Sequence, residues 1–160
     1  MKLLSKFRTF LVTMPLRKKV WFVLMWPLTG LFRLAILVLP FRIYRGVLGK
    51  HVGKVEFCGL ITESQFARAW QIGCAVELAA RFTPWQSKCL VQALVGACWC
   101  RLYRIPYVVY LGVRKDDSGA MKAHAWLCTG KAIITGREGH QTFTIVSTFV
   151  PAFSGYSGTG

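Results

Sequence analysis

SKCLVQALVGACWCRLYRIPYVVYLGV, residues 87–113, decides the fold, because the periodicity of the chain changes inside it. From near Ser87 to about Tyr103, Leu90, Val91, Ala93, Leu94, Ala97, Cys98 and Leu102 leave almost no polar side. A helix apolar on nearly every side belongs at the centre of a domain. After Pro106, Tyr107–Val113 is rich in β-branched and aromatic residues and reads as a strand. The stretch therefore predicts a buried helix that hands over to a sheet.

Working upstream, Thr62 and Gln65 have the spacing of a capping box. Phe66, Trp70, Gly73, Cys74, Glu77 and Leu78 follow at steps of three and four, predicting a helix to about Arg81. Thr83-Pro84 ends it, since a residue before proline is pushed out of the α region. Downstream, Lys115–Gly119 is a turn by composition and Lys122–Cys128 a strand. Thr129-Gly130 reads as a tight hairpin loop, Lys131–Thr135 as the return strand and Thr142–Phe149 as a fourth. Helices followed by an antiparallel sheet make an α+β domain.

The N-terminal third has another character. Lys2, Lys6, Arg8, Arg17, Lys18 and Lys19 precede the apolar run Val20–Phe32, and Arg33 separates it from a second run, Leu34–Phe41. About 20 apolar residues cross a bilayer, but Arg33 interrupts this stretch and Pro27 breaks it near its middle. The cationic flanks with Trp21 and Trp26 suit helices that pack on the domain or lie in a membrane surface. The expected organisation is a helical segment over residues 1–50, a domain over 51–150 and a loose tail over 151–160.

With 54% apolar residues the 160-residue chain supports a real core, which excludes disorder. The formal net charge of +15 attracts acidic peptides, nucleic acids or anionic membranes without choosing among them. No nucleic-acid module and no phosphate-binding loop is present to make the choice. Cys58, Cys74, Cys89, Cys98, Cys100 and Cys128 lack the spacing of a disulfide-stapled fold and read as reduced thiols of a cytoplasmic protein.

Cys89 stands in the first turn of the buried helix. There the free backbone amides and the helix dipole favour a thiolate and can receive an oxyanion. His124 lies in a strand between two alanines, and alternation puts it on one face with Trp126 and Cys128. Each alone reads more blandly, the cysteine as a small buried side chain and the histidine as a half-buried donor. Together, on a sheet whose inner face packs the Cys89 helix, they read as nucleophile and general base. With a Thr129-Gly130 loop, His124 falls opposite Thr135, and Gly136 bends the chain so that Glu138 swings inward as a third member. Asp116 and Asp117 are alternatives in an exposed turn. Gln86 is a candidate oxyanion donor, or an exposed loop residue. Cys98-x-Cys100 with His124 and Cys128 is a poor zinc set, because a Cys-x-Cys pair in a helix splays its sulfurs. His51 and His140 have bland loop settings. No metal or cofactor is expected.

In order, RFTPW (81–85), SKCLVQA (87–93), YLGV (110–113) and AHAW (123–126) resemble the lasso-peptide leader peptidases. These are the B proteins of the microcin-J25-processing type, transglutaminase-like (papain-like) cysteine peptidases. The likeness extends to Gly130, Thr135-Gly136, Phe143–Phe149 and, upstream, Phe32–Gly49 with Leu39-Pro40-Phe41, covering roughly residues 17–150. The resemblance implies a bacterial enzyme with its nucleophilic Cys at the start of a buried helix on an antiparallel sheet. It would cut the leader from a ribosomally made precursor peptide. Cys89 and His124 match the family's catalytic pair. Where relatives can carry Asp, at the end of the strand after the His, this chain reads Thr135-Gly136, so Glu138 substitutes or a pair suffices. The resemblance further implies a small separate leader-recognition protein, an ATP-dependent macrolactam cyclase and an N-terminal segment that is part of the domain. The rival expectation is a non-catalytic membrane-associated scaffold of a peptide-modifying complex. Acyl transfer by the same pair is a third.

Overall fold

The computed structural model describes residues 16–56 and 59–153, with helices and sheet divided at Pro106 except for one short early strand. Cys58 and the tail at 154–160 lie outside the described residues. The helices are α1 (Leu16–Val38), α2 (Phe41–Leu48), α3 (Glu63–Arg81) and α4 (Cys89–Leu102). The strands are β1 (Lys50–His51), β2 (Val108–Lys115), β3 (Met121–Thr129), β4 (Ala132–Thr135) and β5 (Thr144–Val150), with a 3-10 turn at His140–Thr142. They pair antiparallel in the order β1-β5-β2-β3-β4.

The Thr62–Gln65 capping box is present at the start of α3. The Gln65 amide donates to Thr62 Oγ1 at 3.3 Å, and the Thr62 amide donates to Gln65 Oε1 at 3.0 Å. α4 is the central helix, with Val91, Ala93, Leu94, Val95, Ala97 and Cys100 buried. It meets the sheet face formed by Val109, Ala125, Leu127, Ile134 and Phe149, and α1 and α3 complete that core. The opposite face carries a second cluster of Val108, Tyr110, Trp126, Cys128 and Val150. The approach of α3 to β4 depends on Gly73, where a Cβ would lie 2.5 Å from the Ile134 carbonyl oxygen. Gly73→Ala is therefore expected to destabilise by about 3 kcal/mol despite alanine's better helix propensity, read from urea unfolding midpoints.

The structure corrects three expectations. α1 runs unbroken through Pro27, which sits on the helix's exposed side, so the missing hydrogen bond costs the core nothing. The hairpin loop is Gly130-Lys131, since Thr129 pairs with Ala132. Gly130, with φ +53, takes the first loop position, where primed turns need positive φ. With a further register shift between Leu127 and Cys128, Thr135 falls opposite Leu127 instead of His124. Finally, β1 forms a fifth strand on β5, built from only two residues at the glycine-punctuated break near residue 49.

Candidate active site

The loop that delivers Cys89 is held from both sides. The Thr83 and Ser87 hydroxyls hydrogen bond at 2.9 Å, and Gln92 Nε2 donates to the Ser87 carbonyl at 2.9 Å. From α1, Trp26 Nε1 donates to the Phe82 carbonyl at 3.2 Å, and Trp85 Nε1 donates to Thr29 Oγ1 at 3.2 Å. The two indoles lie 4.8 Å apart. Gly30 allows this approach, because a Cβ there would lie 2.9 Å from the Trp85 ring. The N-terminal helix is thus part of the apparatus that positions residue 89.

Cys89 is the first residue of α4, and Lys88 caps it with extended backbone and no side-chain hydrogen bond. Gln92 supplies an early rung, its amide donating to the Lys88 carbonyl at 3.2 Å. The amides of Cys89, Leu90 and Val91 precede the helical ladder, where a developing anion is best received. The Cys89 side chain is partly exposed. It lines a cavity of about 350 Å³ with Ser87, Gln92, His124 and Gly136–Glu138, closed on one side by Glu77, Ala80 and Arg81 of α3.

His124 enters this cavity by an unexpected route. Ala125 and Leu127 form the β3 face that packs on α4, so the face bearing His124 and Trp126 is the outer one. The assumption that the His124 face packs the Cys89 helix is therefore corrected by the pleat of the strand. β4 stops at Thr135, leaving the edge of β3 uncovered just there, and His124 lines the cavity at this open edge. Its ring stacks on Trp126 (centroids 5.8 Å apart) and lies 5.0 Å from Phe143. Opposite it stands Gly112, where a Cβ would lie 2.8 Å from both Phe143 and Trp126.

His124 Nε2 is 2.8 Å from the Gly136 carbonyl oxygen. A carbonyl only accepts, so Nε2 carries a proton, and in the neutral ring Nδ1 is the nitrogen with the free lone pair. Gly136 has φ +71, and a Cβ there would overlap the Ala125 carbonyl oxygen. This backbone carbonyl was not foreseen: a side-chain motif does not reveal it, although the Thr135-Gly136 pair marks the place.

Glu138 is exposed in the cavity wall, and among the described residues it makes no hydrogen bond or ion pair with His124. Gln86 is exposed and is not one of the cavity residues, whereas Gln92 is one. Its spacing of three from Cys89 puts both on one side of the first helical turn, a signal the sequence carried. Asp116 organises the β2–β3 turn, accepting from the Ser118 and Ala120 amides and the Ser118 hydroxyl, with Lys122 Nζ at 3.1 Å. The Ser118 and Lys122 contacts hold its carboxyl below the usual range. Asp117 is exposed. Cys100 lies in the inner core, its thiol pushed up to about 12 by burial, and Cys128 lies in the outer cluster across the sheet. Burial also raises Cys98, with Arg101 opposing. The five described cysteines are free thiols. His140 Nδ1 is 2.8 Å from the Arg137 carbonyl oxygen, and His51 packs on Phe149.

Comparison with known families matches residues 35–148 to the transglutaminase-like superfamily. The chain finds no match among curated proteins or among solved structures.

Proposed function

The chain belongs to the transglutaminase-like superfamily, which includes cysteine peptidases, and from that premise we propose that it removes the leader from a ribosomally made lasso-peptide precursor. The observation that carries this reading is the shared cavity of Cys89 and His124, with the His124 ring fixed by Gly136. His124 Nδ1 takes the Cys89 proton, and the sulfur attacks the carbonyl of the leader–core bond. The amides at the start of α4 receive the oxyanion. Collapse of the tetrahedral adduct breaks the C–N bond, the His124 proton goes to the leaving amine of the core, and the leader remains as a thioester on Cys89. Water, deprotonated by His124, then releases the leader as a carboxylate and restores the thiol.

Gly136 acts here as a positioning residue, filling with a backbone carbonyl the role a carboxylate fills elsewhere. Glu138 contributes only its charge at the cavity rim. Glu138→Gln is accordingly expected to change kcat/KM by no more than a few-fold. Gly136→Ala, which must displace the carbonyl, is expected to lower kcat by about 10²-fold. Equal losses in the two variants would instead assign the orienting role to the carboxylate.

A small leader-recognition protein and an ATP-dependent macrolactam cyclase are the proposed partners, and the cytoplasm is the proposed site of action. The test combines purified protein, precursor peptide and leader-binding partner, with mass spectrometry of the products. Free leader with a new C-terminal carboxylate supports hydrolysis. A leader joined to an added amine assigns acyl transfer, and intact precursor with assembled partners leaves the scaffold.

A further inference from the structure

The outward side of α1 is an apolar stripe that no described residue covers. Val20, Leu24, Pro27, Leu31, Leu34 and Val38 recur at steps of three and four, all exposed, with exposed Val23 beside them, and the stripe leads into α2 at Ile43. The inward side is fixed to the domain through buried Phe22, Met25 and Thr29 and through the Trp26 and Trp85 hydrogen bonds. Lys19–Val38 has the length and mean hydropathy (1.8) of a membrane span. A crossing, however, would pull those indoles away from the loop that carries Cys89.

Charge selects the occupant of the stripe. Residues 1–55 contain eleven Lys and Arg and no Asp or Glu; the first carboxylate side chain of the sequence is Glu56. Arg42 and Arg45 are exposed on either side of Ile43. A second copy of this surface would bring like charges together, whereas an anionic lipid surface neutralises them and accepts the apolar side chains between them. We propose that α1 and α2 form a docking face for an anionic lipid bilayer, with α1 lying in the plane of the interface. Because the loop bearing Cys89 is braced on the opposite side of α1, docking leaves the cavity open to water. This inference is independent of the peptidase reading.

The test is co-sedimentation of the full-length protein with phosphatidylcholine vesicles with and without phosphatidylglycerol. Partitioning is expected to be at least about tenfold stronger with the anionic lipid and to weaken as salt rises. Leu31→Glu/Leu34→Glu is expected to lower it by about tenfold or more. Arg42→Gln and Arg45→Gln, surface changes on a short helix, are each expected to remove about fivefold of the anionic preference. Equal binding to both vesicle types would overturn the proposal, as would resistance of the bound protein to alkaline extraction. So would a solution dimer abolished by the Arg42 and Arg45 changes.

Discussion

Replacing Cys89 by alanine is expected to lower leader release by about 10⁴-fold or more, because Cys89 carries the only thiol among the described residues of the cavity and the Ser87 hydroxyl is held by Thr83. The loss should fall on kcat. Only the covalent step needs sulfur. Stability should change little, since the Cys89 side chain lies at the partly exposed rim of the core. Cys100→Ala makes the converse control. That thiol is fully buried in α4, so its removal should lower the unfolding midpoint and leave kcat near the wild-type value. Steady-state cleavage and urea unfolding on the two variants separate the roles. A Cys89→Ala protein that cleaves at the wild-type rate would remove the nucleophile from the mechanism.

His124→Ala is expected to cost about 10³-fold in kcat, within the range for loss of a general base. The more informative change is His124→Gln. A glutamine amide can still donate to the Gly136 carbonyl, but it cannot accept the thiol proton. If His124 acts as the base, both variants are equally impaired. If it serves only to hold residues 136–138 in place, glutamine restores most of the activity. Both variants lose the ring contacts with Trp126 and Phe143, so a modest drop in stability accompanies either outcome.

Much of this architecture was legible because it rests on periodicity. The apolar stretch after Ser87, the β-branched run after Pro106 and the Thr62–Gln65 box each appear where local physics puts them. Membership of the transglutaminase-like superfamily likewise agrees with ordered motifs that span most of the chain. What escaped depends on one-residue geometry. Moving the hairpin loop from Thr129-Gly130 to Gly130-Lys131, with the register shift beyond it, takes Thr135 away from His124, and a two-residue alternation cannot say which face meets the helices. The partner of His124 Nε2 is a backbone carbonyl, invisible in any list of side chains. The brace of Trp26, Thr29 and Trp85 joins residues 56 apart in sequence, and only the packing of α1 brings them together. Gln92 was within reach, one turn beyond Cys89.

Cys74 is an exposed thiol on α3 that is not among the cavity-lining residues, and serves as an internal standard for chemical reactivity. Sub-stoichiometric iodoacetamide at near-neutral pH, followed by peptide mapping, ranks every thiol of the folded protein at once. A Cys89 activated by His124 should take the label more than about tenfold faster than Cys74, and His124→Ala should bring the two to parity. Labelling that favours Cys74 in the wild type, with a ranking unmoved by His124→Ala, would contradict the Cys89–His124 pair.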